Sequence, residues 1–288
     1  MSTDPVRDSR VTRLIEIALM EDASMGDLTS EAIIPEDQLS LATFFCKADG
    51  VVAGMDVAGL VFRVVDSSIT LEPAVNDGAQ VGRGMVLGSL HGATRGILLA
   101  ERTALNILQR MSGIASLTRR FVDAVAGTGA RITDTRKTVP GLRALDKRAV
   151  VAGGGVNHRF GLDDMVLIKD NHIAAVGGIT SAVERCRAYL QERRITAAIE
   201  VETATLDQVR EALACPDIAR IMLDNFRVDD MKEAVRLIGR AVETEASGGV
   251  SLETVRSIAE TGVDFISVGA LTHSVTALDI SLELSPHV

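Results

Sequence analysis

The stretch AAIEVETATLDQVREALACPDIARIMLDN, residues 197–225, reads as one strand–helix–strand unit. Its apolar ends, 197–202 and 219–223, suit buried strands, and the segment between them, 206–215, has helical spacing. The same alternation extends in both directions. Strands are expected at 131–135, 165–169, 241–243 and 263–268, and helices at 142–152, 180–192, 228–238 and 251–261. Repeated strand–helix units imply a parallel α/β sheet, because each helix must carry the chain back before the next strand begins. Six strands by this count leave open whether the sheet closes into a barrel or remains open.

Ahead of residue 131 the pattern differs. A helix is expected at 11–20, where Leu14, Ile15, Ala18 and Leu19 share one face. Short apolar runs follow at 42–47, 51–53, 61–65, 69–71 and 85–90, split by the turn signals Asn76-Asp77-Gly78 and Gly82-Arg83-Gly84. They predict a mixed α+β region with antiparallel strands. A long helix is expected at 94–126, with Leu98, Leu99, Leu105, Ile107 and Leu108 as apolar positions and Gly113 as a candidate break.

Composition narrows the function classes. With 288 residues and 47% hydrophobic content, the chain can build one large domain or two moderate ones. A net charge of −9 argues against general nucleic-acid binding and makes any local cationic cluster more telling. Residues 1–10 lack an apolar signal core, and no apolar run approaches the roughly 20 residues that cross a bilayer. Cys46, Cys186 and Cys215 are scattered and not at metal spacing. These readings predict a cytoplasmic protein with reduced thiols and no membrane contact.

In a parallel α/β domain ligands bind at the carboxyl ends of the strands. Here those ends carry Asp134-Thr135-Arg136-Lys137, Lys169-Asp170-Asn171-His172, Glu200 with Glu202, Asp224-Asn225, Glu243 to Gly249, and Gly269-Ala270. One such charge is usually a solvated loop residue or a helix cap; so many in succession point to a site. Arg136-Lys137, His158-Arg159 and Lys169 gather cations in an acidic protein, which suits an anionic ligand gripped by guanidinium forks. Gly153-Gly154-Gly155 reads by itself as a helix C-cap, or as a close backbone approach that aims His158 and Arg159. Ser247-Gly248-Gly249 ahead of a helix is a phosphate cradle of moderate specificity. Glu200, Glu202 and Asp224 offer hard oxygen ligands suited to Mg²⁺, or they neutralise the cations. No P-loop or dinucleotide fingerprint is present.

Together these segments resemble the quinolinate phosphoribosyltransferases (carboxylating nicotinate-nucleotide pyrophosphorylases). The matching strings are Glu21-Asp22, Gly26-Asp27-Leu28-Thr29-Ser30, Glu101-Arg102-Thr103-Ala104-Leu105-Asn106, Ser112-Gly113-Ile114-Ala115, Asp134 to Arg143, Gly153 to Arg159, Ile168 to His172, Leu223-Asp224-Asn225 and Glu245 to Gly249. They span nearly the whole chain in family order; Ser116 departs from the threonine more usual there.

The resemblance implies an N-terminal α/β sandwich (1–115, joined by the tail 272–288) and an incomplete, open α/β barrel (116–271). It implies a homodimer, with Arg102 contributed across the interface. The implied reaction joins quinolinate to phosphoribosyl pyrophosphate, releasing pyrophosphate and CO2. By the same resemblance Arg102, Arg136, His158, Arg159 and Lys169 take the quinolinate carboxylates, with Lys137 shared towards pyrophosphate. Ser247, Gly248, Gly249, Gly269, Ala270 and His273 hold the 5′-phosphate, and Glu200 with Asp224 bind Mg²⁺ or the ribose hydroxyls. Lys137, Lys169, Glu200 and Asp224 are then the residues closest to the chemistry. Rival readings are a related enzyme using nicotinate, a Schiff-base aldolase built on Lys169, and a non-catalytic metabolite-binding protein.

Overall fold

The structure, a computed structural model, describes residues 9–286. Two compact units are present: the chain up to 119 with 138–154 and the tail from 271, and residues 120–137 with 155–270.

The first unit begins with α1 (Ser9–Ala23), α2 (Leu28–Ile33), β1 (Leu39–Cys46), β2 (Gly50–Val51) and α3 (Met55–Val65). It continues through β3 (Thr70–Pro73), β4 (Gln80–Val81), β5 (Val86–Ala93) and α4 (Thr94–Ala124). The GDLTS string is a helix start: the Asp27 side chain accepts from the N–H groups of Thr29 and Ser30 at 3.0 and 3.1 Å. The run 61–65, expected among the extended segments, is helical in α3. Val57, Ala58, Leu60, Val61 and Phe62 are all buried there, and Asp77 caps the helix by accepting from Gly54 N–H at 2.8 Å. Packing has overridden β-branched propensity.

Gly113 does not interrupt α4. A side chain there would place its Cβ 2.2 Å from the Thr276 carbonyl oxygen, so glycine admits the returning tail against the helix. On the same helix Ser112 and Ser116 accept from the N–H groups of Ala53 and Val51 at 3.0 and 2.8 Å, fastening α4 to β2.

The second unit supplies β6 (Arg131–Thr133), and α5 (Arg143–Ala152) then turns back to the first. The sequence boundaries had placed 138–154 with the barrel. In the structure a Cβ at Gly153 would lie 2.5 Å from the Ala115 carbonyl oxygen, and the buried Asp146 accepts from Arg110 at 2.9 and 3.0 Å. These contacts fix α5 on α4.

Next come β7 (Val166–Ile168), α6 (Asp170–Val176), α7 (Ile179–Arg193), β8 (Ile199–Thr203), α8 (Leu206–Ala214), β9 (Arg220–Asp224) and α9 (Val228–Ile238). The chain ends through β10 (Glu243–Ser247), α10 (Val255–Ala259), β11 (Phe265–Ser267), α11 (Ala270–His273) and β12 (Ile280–Pro286). β12 pairs antiparallel with β1, from Ser40↔Pro286 to Cys46↔Ile280, within the sheet β12-β1-β5-β3. The tail thus adds the edge strand β12 to the sheet of the first unit.

The parallel sheet runs β6-β11-β10-β9-β8-β7. That order is chain order rotated by one: the last strand pairs with the first, as in a closing barrel, while β6 and β7 share no ladder among the described residues. The result is an open barrel of six strands. Among the described residues no helix is long and apolar enough to cross a membrane.

Candidate active site

Register determines what lines the barrel. Ile199 and Val201, Ile221 and Leu223, Ala246, and Ile266 form the alternate set that is buried on the helix-covered side. Their neighbours face inward, and most of these are charged. Glu200 lies opposite Arg220, Glu202 opposite Met222, Glu245 opposite Met222 and Phe265, and Ser247 opposite Asp224.

The inward residues form three levels along the strands. At the strand starts the guanidinium carbons of Arg220 and Arg131 lie 3.8 and 4.1 Å from the Phe265 ring centre. Arg220 also bridges Glu243 at 2.9 Å and Glu245 at 2.7 Å.

The middle level is a buried cluster. His158 Nε2 lies 3.0 Å from Glu200 and 3.5 Å from Glu245. Both carboxylates are 0% exposed. His158 Nδ1 accepts from the Arg159 N–H at 2.8 Å, and His158 N–H donates to the buried Asp134 at 2.9 Å. Burial, reinforced by the charge of Glu200, pushes Glu245 up to about 7. Burial alone would lower the His158 pKa, but contact with Glu200 and the charges of both carboxylates raise it above its ordinary value.

The third level is the mouth, at the carboxyl ends of the strands. Lys169 precedes α6, and its Nζ donates to Glu202 at 2.7 Å. Asp224 ends β9, and Ser247-Gly248-Gly249 follow on β10, both glycines with positive φ (94° and 60°). Arg136 and Lys137 follow β6. Arg159, anchored by donating to the Met165 carbonyl oxygen at 3.0 Å, lies in the same unit. Burial first, and the like charge of Arg136 second, hold the Arg159 pKa below its usual value. The Arg136 Nε is buried with no hydrogen-bond partner. Two guanidiniums thus share a partly desolvated space where an anion would stabilise both.

Three sequence expectations change. Glu200 and Asp224 stand at different levels: Glu200 is level with Arg220, four residues before Asp224, which is about 13 Å along the strand. Glu202, opposite Met222, lies two residues nearer the mouth. Secondly, His158 turns into the core and braces its own loop, with both ring nitrogens engaged. Thirdly, the expected helix at 251–261 is only α10 (Val255–Ala259), so the cradle at 247–249 stands apart from a helix N-terminus and depends on backbone N–H groups. Gly269 and Ala270 lie where β11 leads into α11. Arg102 is exposed on α4, and His273 is exposed with its Nδ1 2.6 Å from Ser274 Oγ; both belong to the first unit.

Sequence reasoning named Glu245 only as part of the run 243–249, without a role, and missed Arg220. The available signal was the repeated Glu-x-Glu of 200/202 and 243/245, whose spacing of two aims both carboxylates of each strand at one side.

Residues 27–112 match the family model of the quinolinate phosphoribosyl transferase N-terminal domain, and residues 114–283 that of the C-terminal domain. A quinolinate phosphoribosyltransferase (decarboxylating) of Nicotiana tabacum is 49% identical over 286 residues, covering 94% of this chain and 81% of the relative. A nicotinate-nucleotide pyrophosphorylase (carboxylating) of Mycobacterium leprae is 46% identical over 288 residues, covering 98% of each chain. The crystal structure of NadC from Streptococcus pyogenes superposes with a TM-score of 0.93 at 35% identity, over 100% of both chains. The chain therefore belongs to the quinolinate phosphoribosyltransferase family.

Proposed function

We propose that the chain transfers the phosphoribosyl group of phosphoribosyl pyrophosphate to quinolinate with decarboxylation, giving nicotinate mononucleotide, pyrophosphate and CO2 in de novo NAD biosynthesis. The observation that carries this reading is the like-charged pair Arg136 and Arg159 in a partly buried space, with an orphaned buried Arg136 Nε, near the end of a parallel sheet. A dicarboxylate fits it; a ligand without an acceptor there leaves the Arg136 Nε unpaired.

In this reading Arg136, Arg159 and Lys169 grip the two carboxylates, joined by Arg102 from a second copy in a homodimer, and His158 keeps Arg159 in place. Lys137 faces the pyrophosphate. Gly248 and Gly249, with Ser247, Gly269 and Ala270, are assigned to the 5′-phosphate. The pyridine nitrogen attacks the anomeric carbon with its own lone pair as the bond to pyrophosphate breaks, so no general base is needed. Catalysis is then positioning and stabilisation of the departing charge. The ring nitrogen becomes cationic and accepts the electron pair of the adjacent carbon–carboxylate bond as CO2 leaves; a proton replaces it.

The donor set at the mouth is all oxygen, which suits Mg²⁺: Glu202 and Asp224 would hold it, and when bound it would neutralise the pyrophosphate. Glu202 and Asp224 also face the positive charge that develops on the ribose. A cytoplasmic location is part of the same reading, supported by the bacterial relative; plant relatives bear mitochondrial and chloroplastic names.

The test is incubation with phosphoribosyl pyrophosphate, Mg²⁺ and either quinolinate or nicotinate, following mononucleotide by chromatography. Turnover with quinolinate and none with nicotinate is expected; the reverse overturns the assignment. Size-exclusion chromatography with light scattering tests the dimer, and a monomer at working concentration would exclude it. The aldolase alternative finds no support, because Lys169 is engaged with Glu202, an arrangement that suits an anion-binding ammonium.

A further inference from the structure

Asp224 and the loop 247–249 are adjacent in register, yet a single residue joins them. Asn225 follows Asp224 in the left-handed conformation (φ 55°), which asparagine tolerates better than most residues. Its backbone N–H donates to the Ser247 carbonyl oxygen at 2.8 Å, continuing the ladder one step past β9. Its side-chain Nδ2 donates to Asp224 Oδ2 at 2.7 Å. A Cβ added to Gly248 would lie 2.2 Å from Asn225 Oδ1 and 2.5 Å from Cγ. The amide therefore rests directly on the Gly248 backbone, in the space a side chain there would fill.

We propose that Asn225 is a positioning residue for the sugar-donor half of the site, clamping the Asp224 carboxylate in a fixed orientation relative to the Gly248–Gly249 loop. The inference rests on the reading of Asp224 as the ribose or Mg²⁺ carboxylate and of the loop as the phosphate cradle. It gives Gly248 a second constraint besides its φ of 94°, since any side chain there displaces the clamp. It also separates the two substrates: Asn225 touches the donor side and none of the cations assigned to quinolinate.

Asn225→Gly accepts the positive φ without strain and deletes the amide. Asn225→Asp keeps the size and the conformational tolerance but replaces the donor to Asp224 with an acceptor. Both variants are expected to weaken phosphoribosyl pyrophosphate binding, measured calorimetrically with Mg²⁺, by on the order of tenfold or more, the loss expected for one hydrogen bond to a carboxylate. The KM for quinolinate should stay within about twofold, and the Tm of Asn225→Gly should match the wild type. In an Asp224→Asn background the Asn225→Gly change should add little further loss, because the two act as a unit.

Wild-type donor affinity in both variants, or full additivity with Asp224→Asn, overturns the positioning role and leaves the proposed reaction intact. A wild-type protein that binds no phosphoribosyl pyrophosphate overturns both. A rise in the quinolinate KM equal to that for the donor would mark a general disturbance of the mouth and reject the specific role.

Discussion

Glu245→Gln should change how the stability of this protein depends on pH. Glu245 is 0% exposed, faces Glu200 across His158, and is pushed by burial from the ordinary 4.5 up to about 7. The folded state therefore holds a proton that the unfolded chain releases at lower pH. At about 1.4 kcal/mol per unit, this raised pKa corresponds to about 3 kcal/mol. The contribution is fully present below pH 4.5 and is lost as pH rises through about 7. His158, whose pKa is also raised, acts in the same direction. Glutamine mimics the protonated acid and does not titrate. The variant should therefore gain on the wild type by about 3 kcal/mol between pH 4.5 and 8, with a shallower slope but not a flat one, because His158 remains. The chain has no tryptophan and one tyrosine, so urea unfolding is best followed by far-ultraviolet circular dichroism at several pH values. Parallel stability curves for the two proteins across this range would refute the reasoning, because Glu245 would then ionise alike in both states.

Three further outcomes follow from the geometry. Lys169→Ala should lower turnover by at least two orders of magnitude while moving Tm little, since the Lys169 side chain is 44% exposed and such a pair contributes about 1 kcal/mol or less. A stable variant with wild-type turnover would remove Lys169 from the site. Gly153→Ala should destabilise by about 1–3 kcal/mol through overpacking alone, because φ there is −71° and the new Cβ meets the Ala115 carbonyl oxygen; unchanged denaturation midpoints would contradict it. Glu202→Gln should raise the Mg²⁺ concentration required for half-maximal activity, whereas Glu200→Gln should act mainly on stability; the opposite pattern would restore the Glu200–Asp224 pairing.

The parallel unit was largely legible because its strands alternate with helices of ordinary length. α9 was expected at 228–238 and is found there. β10 was placed too early, at 241–243 instead of Glu243–Ser247, and the reason is physical. Glu245 faces a charged interior and Glu243 lies exposed at the strand start, so the strand lacks the apolar run by which a buried strand is recognised. α6 went unread because Asp170-Asn171-His172 looks like a loop until Lys169 and His172 are seen to close its first turn, with Lys169 N–H donating to His172 Nδ1 at 2.9 Å. In the site, Arg136, Arg159 and Lys169 could be named from type and position. The inward turn of His158 could not, because it depends on Glu200 and Glu245, which lie 42 and 87 residues further along the chain. The same applies to Asn225, whose partner loop is brought to it only by the β9–β10 register.

The account stands on one cationic mouth that binds a pyridine dicarboxylate and uses the alkylated ring nitrogen to expel CO2. The most direct test is release of labelled CO2 from quinolinate carrying the label in the carboxylate next to the ring nitrogen, with and without phosphoribosyl pyrophosphate. Release that requires the sugar donor and matches mononucleotide one for one is the predicted result. Release at the same rate without the donor, or mononucleotide formed with the label retained, would contradict it.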